Sequence, residues 1–100
     1  MTAYNAAFRA TVTPSALTPR EIAANVAALD LPDGWTRADD LALMEGLFMG
    51  LKLAQIGIPR GKTIAEMQAR FLALRKAAVG EGVLTLDAQK ALLAAVRAAA

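Results

Sequence analysis

Residues 57–74 read Gly57-Ile58-Pro59-Arg60-Gly61-Lys62-Thr63-Ile64-Ala65-Glu66-Met67-Gln68-Ala69-Arg70-Phe71-Leu72-Ala73-Leu74, and this stretch decides the fold. A turn rich in Gly and Pro runs into Thr63, whose hydroxyl suits a helix N-cap. Glu66, three residues on, is placed to reach back and close a capping box. Beyond it Ile64, Met67, Phe71, Leu74 and Ala78 recur at 3-4-3-4 spacing, which predicts an amphipathic helix over about 63–79.

The same punctuation recurs on either side. Thr18-Pro19-Arg20-Glu21 and Thr36-Arg37-Ala38-Asp39 are capping boxes, the first with proline at the first helical position. Thr85 precedes another start, with Asp87 near the positive end of the helix dipole. Leu31-Pro32-Asp33-Gly34 and Gly80-Glu81-Gly82 read as turns. Five helices follow, at about 19–29, 37–50, 52–57, 63–79 and 86–98. The first turns Ile22, Val26 and Leu29 to one side. The second is apolar over more than half its circumference (Leu41, Leu43, Met44, Leu47, Phe48, Leu51) and is expected to be central. The last carries a stripe of Leu86, Leu92, Leu93 and Val96. Leu72 falls off the stripe of its helix, so either the last helix or a partner must cover it. Alanine, the best helix former, is the commonest residue, and no stretch alternates over a strand's length. The expectation is an all-α single domain over 1–100, a small bundle of about five helices. Residues 1–17 are expected to be loosely ordered, with one turn near Asn5–Arg9.

Composition narrows the chemistry. The chain has 100 residues, no cysteine and no histidine. That removes disulfides, Cys/His zinc sites and Ser-His or Cys-His pairs. No metal, cofactor or catalytic activity is expected. The stretch Leu41–Ile58 is interrupted by Glu45, Lys52 and glycines, so it reads as core helices and not as a membrane span. The N-terminus lacks a signal-peptide pattern, and a cytoplasmic location is the expectation. Gly61-Lys62-Thr63 is similar to the end of a phosphate-binding loop, but Ile56 stands where that loop needs glycine. Asp39 and Asp40 point about 100° apart on a helix and read as helix-start acids near the dipole. Glu45 reads as solvent-facing or paired with a base. Charge is unevenly spread. Residues 1–50 carry three basic side chains against six acidic, and residues 51–80 carry six against one. The second segment is what an anion-binding surface requires.

The run Trp35-Thr36-Arg37-Ala38-Asp39-Asp40, the short Leu53-Ala54-Gln55-Ile56 segment, the Gly61-Lys62-Thr63 turn and the closing Arg70-Phe71-Leu72-Ala73-Leu74 together resemble a Myb/SANT-like repeat over about 35–75. The resemblance implies a three-helix, helix-turn-helix core over 35–79, with the 63–79 helix laid in the major groove of DNA. The C-terminal helix, 85–99, would pack on it or oligomerise. Family positions that reach bases fall on Ala65 and Ala69, and alanine can touch only a thymine methyl. A rim of Arg60, Lys62, Arg70, Arg75 and Lys76 suits phosphates. The candidate nucleic-acid contacts are therefore Arg60, Lys62, Thr63, Gln68, Ala69, Arg70, Arg75 and Lys76, with Lys62 and Arg70 exposed. Weak base readout and steep salt dependence are expected. The function implied is a small DNA-binding transcriptional regulator acting on double-stranded DNA. The alternatives are a phage-type small terminase DNA-recognition subunit, or a protein-interaction module in the transcription or packaging machinery that does not bind DNA. A homo-oligomer through the C-terminal helix is also open.

Overall fold

Each long helix begins at the threonine that the sequence marks. In the computed structural model, which describes residues 17–100, α1 spans Pro19–Ala28, α2 Arg37–Phe48, α4 Ile64–Val79 and α5 Leu86–Ala99. Thr18, Thr36 and Thr63 accept from the third residue of their helices, and Glu21, Asp39 and Glu66 return the bond to the cap N–H. Both orphan donors at each start are thereby satisfied. The short α3, Leu53–Gly57, runs into a 3-10 turn over Ile58–Arg60. Gly61, at φ 70°, ends that turn in the left-handed region that favours glycine. The turn expected near Asn5–Arg9 lies outside the described residues. Among the described residues all regular structure is helical, and no helix is long and apolar enough to cross a membrane.

The core is built where four faces meet: Ile22 and Val26 of α1, Leu43 and Met44 of α2, Met67 and Leu74 of α4, and Leu92 and Val96 of α5, all buried. Burying a side chain of this size contributes about 2 kcal/mol. α3 lies close on α2 because Gly46 has no side chain. A Cβ there would stand 2.6 Å from Ile56 Cδ1, inside any real contact. α2, α3 and α4 form the three-helix unit with a helix-turn-helix connection, and α1 and α5 pack together beside it. Arg37 ties the two parts. Its guanidinium donates to the carbonyls of Val26, Ala27 and Leu29, at the end of α1 where helical carbonyls run out of partners within the helix.

Two faces differ from the sequence reading. On α4 the buried side runs through Met67, Arg70, Leu74, Ala77 and Ala78, while Ile64 is half-exposed and Phe71 only partly buried. The stripe is rotated because Arg70 is drawn inward. Leu72 is 60% exposed, so α5 does not cover it. α5 turns its Leu92, Leu93 and Val96 into the core, chiefly against α1. Leu86, the first member of that stripe, is 59% exposed, and the other three are spent inside the molecule.

Candidate nucleic-acid interface

The adjacent aspartates at the start of α2 organise this region, because successive helical positions diverge by about 100°. Asp39 faces the turn. Its carboxylate closes the Thr36 capping box (Thr36 N to Oδ2, 2.9 Å), accepts from Arg60 Nε at 2.7 Å and stands 3.6 Å from Lys62 Nζ. Lys62 also donates to the carbonyl of Gly34 and sits 5.4 Å from the Trp35 ring centroid, within cation–π range. Burial acts to raise the Asp39 carboxyl. The bonds from Arg60 and Thr36 and the charge of Lys62 outweigh it and hold the group below the usual carboxylate range.

Asp40 faces α4. Its side chain is 1% exposed and accepts three bonds: from Trp35 Nε1 at 2.7 Å, Arg70 Nε at 2.6 Å and Arg70 Nη2 at 2.9 Å. The two-pronged geometry is the strong form of this pair. Arg70 Nη1 donates to the carbonyl of Asp30 at 2.9 Å. Arg37 Nη1 lies 3.8 Å from the same carboxylate. Asp39 thus holds the turn and Asp40 holds α4, which fixes the helix-turn-helix angle from two neighbouring residues.

This placement corrects the expected surface. Arg70, expected to be exposed and to contact phosphate, is 4% exposed, and its guanidinium is occupied by Asp40 and Asp30, so it reaches no ligand. Arg60 and Lys62 remain partly accessible but are ion-paired to Asp39. Thr63 is exposed, with its hydroxyl accepting from Glu66 N–H and its own N–H bonded to Glu66. Arg75 is half-buried and donates to the carbonyl of Gly82. Gln68, Ala69 and Lys76 are exposed together on the outer side of α4, with Ala65. Of the eight candidates, these three and Arg75 form the open face. Arg60 and Lys62 border it at its N-terminal end.

The acids at 39 and 40 are more than dipole partners, and sequence offered two signals for this. Arg70 lies three residues after Met67 and four before Leu74, on the apolar stripe itself. The acidic first half and the basic 51–80 segment are also complementary to each other. Glu45 is paired as expected, with Arg97 of α5 at 3.0 Å. Among the described residues no group of His, Cys, Asp or Glu side chains is arranged to hold a metal ion.

Comparisons with family models, with characterised proteins and with solved structures gave no match.

Trp35, Asp40 and Arg70 meet in one buried hydrogen-bonded cluster, with Lys62 above the Trp35 ring. They tie the start of α2 to α4 and to the turn that precedes it.

Proposed function

We propose that this protein is a helix-turn-helix module that binds double-stranded DNA through the outer side of α4, with little base readout and few phosphate contacts. One observation carries the reading. α4 follows a short helix and a tight turn, is locked at a fixed angle by Asp39 and Asp40, and turns Ala65, Gln68, Ala69 and Lys76 to solvent. Small side chains let a helix approach a groove closely, Gln68 can bond a base edge or phosphate, and alanine can meet a thymine methyl. A transcriptional regulator and a DNA-packaging recognition subunit both use such a surface.

The inward pairing of the arginines changes the expected strength. Five free cations would give a steep salt dependence. With Arg70 buried and Arg60 and Lys62 shared with Asp39, about two or three phosphates are neutralised, for a log–log slope of about −1.8 to −2.7. A mixed-sequence 30-base-pair duplex titrated by fluorescence anisotropy tests this. Between 50 and 200 mM salt, affinity should fall roughly 10- to 40-fold, against roughly 500-fold for five contacts. Lys76→Glu should weaken binding without changing helicity. Absence of binding at 50 mM salt would end the DNA reading.

A further inference from the structure

We infer that α4 reads the C5 methyl groups of thymine in the major groove, with Leu72 as the side chain that sets a preference for A·T pairs. The inference rests on the DNA reading above and names what that surface recognises. At about 100° per residue, Ala65, Gln68, Ala69, Leu72 and Lys76 fall within an arc of about 100°, with Ala65 and Leu72 near its middle. All five are exposed, while Met67, Arg70 and Leu74 on the opposite side of the helix are buried. Leu72, 60% exposed, is the largest apolar side chain on the arc. Ala65 and Leu72 are seven residues apart, about 10 Å along the axis and so about three base-pair steps.

The chemistry left open on this arc selects among the bases. In the major groove guanine is read by arginine or lysine, cytosine by a carboxylate, adenine by the two-pronged amide of Asn or Gln, and thymine by apolar contact with its methyl. The arginines of α4 are committed elsewhere. Arg70 is 4% exposed and bonded to Asp40, and Arg75 Nη2 donates to the carbonyl of Gly82 at 2.9 Å. The carboxylate of Glu66 accepts from Thr63 N–H at 2.9 Å and closes the capping box, so it is not offered to cytosine. Lys76 lies in the last turn of the helix, where a point charge on a long stem suits phosphate. What remains is Gln68, which matches adenine, and Ala65, Ala69 and Leu72, which match the thymine methyl. Adenine and thymine belong to the same pair, so both chemistries select A·T.

Leu72 adds reach to that match. An alanine methyl stays close to the helix backbone, whereas a leucine at the middle of the arc extends its branched end toward the groove floor. A solvent-exposed leucine gains by covering another apolar group, and the methyl of thymine is the apolar group that the base edges present there. Each methyl covered contributes about fourfold in affinity. Recognition of one group, without a full hydrogen-bond code, keeps the preference modest.

Fluorescence anisotropy with the full chain tests the inference on three duplexes of about 30 base pairs at about 50 mM salt. One is A·T in mixed order, one is the same with deoxyuridine in place of every thymidine, and one is G·C. Deoxyuridine removes the methyl and leaves the charge and the hydrogen-bonding edges in place. The thymine duplex should bind more tightly than the uracil duplex by about 4- to 15-fold, for one or two methyls covered. The G·C duplex should bind no more tightly than the uracil one. Leu72→Ala changes an exposed side chain to a strong helix former, so far-UV circular dichroism should be unchanged. It should at least halve the thymine-to-uracil ratio while leaving affinity for the uracil duplex within about twofold, a split that a purely structural role would not produce. Salt-dependent binding that is equal for thymine and uracil duplexes, or a ratio that Leu72→Ala leaves intact, would overturn the inference and leave the DNA reading standing. No binding to any of the three duplexes would end both.

Discussion

Replacing Arg70 by methionine isolates the buried ion pair. The methionine fills most of the space of the arginine stem, so the cavity left behind is small and the change is chiefly electrostatic. Arg70 contributes three bonds, two to Asp40 and one to the Asp30 carbonyl. Without them Asp40, 1% exposed, keeps Trp35 Nε1 at 2.7 Å and Arg37 at 3.8 Å. Removing one partner of a buried pair costs about 3–5 kcal/mol, because the other charge stays buried. A domain of this size has about 5–15 kcal/mol in all. At about 4–8 °C per kcal/mol, Tm should drop by roughly 12–40 °C. Urea unfolding followed by fluorescence is well suited, since Trp35 is the sole tryptophan and is hydrogen-bonded to Asp40. Arg70→Met combined with Asp40→Asn should recover at least half of the loss, as the amide oxygen can still accept from Trp35 and no charge is stranded. A single Arg70→Met variant within 1 kcal/mol of wild type would refute this account of how α4 is held.

Gly46→Ala gains helix propensity of about 1 kcal/mol but drives a Cβ into Ile56, and overpacking should outweigh the gain by about 1 kcal/mol. Combining it with Ile56→Ala should cost less than the sum of the two singles, read in a double-mutant cycle. Phe71→Ala should cost about 2 kcal/mol by thermal denaturation, below the 3–5 kcal/mol of a fully buried phenylalanine, because Phe71 lines an open groove. Stability should also fall in acid. Asp39, Glu21 and Glu66 all sit below ordinary carboxylate values in the folded chain. Their contribution is complete above the unfolded pKa, about 4, and is lost as pH falls through the folded values. Urea midpoints at pH 7, 4 and 2.5 should decline toward the last, and Asp39→Asn should flatten the profile.

The helices were legible because their signals are local. A threonine with an acid three residues on marks the starts at Thr18, Thr36 and Thr63, and Thr85 caps the last helix without that acid, with Asp87 in its first turn. The order of elements and the burial of Val26, Leu43 and Leu74 followed from periodicity. The direction in which charged side chains point did not. Asp40 meets Arg70 across 30 residues and Asp39 meets Arg60 across 21, and a basic residue looks the same in sequence whether it faces water or a buried carboxylate. The groove was equally hidden, since its walls come from α2, α3, α4 and the segment entering α5. No periodicity within one helix encodes a recess formed by the ends of several.

The ties that reach beyond the three-helix unit set the smallest piece of chain that can stand alone. The stretch recognisable by eye, 35–75, ends inside α4 and omits α1. Cut out by itself, it would deprive Arg70 of the Asp30 carbonyl and Arg37 of the three carbonyls at the end of α1. It would also strip Leu43 and Leu74 of the α1 and α5 side chains that keep them dry. The stretch 35–75 and the unit of folding are therefore different lengths of the same chain. The excised stretch would be a fragment with misplaced donors, whereas α1 through α5 together leave no buried side-chain nitrogen or oxygen without a partner among the described residues.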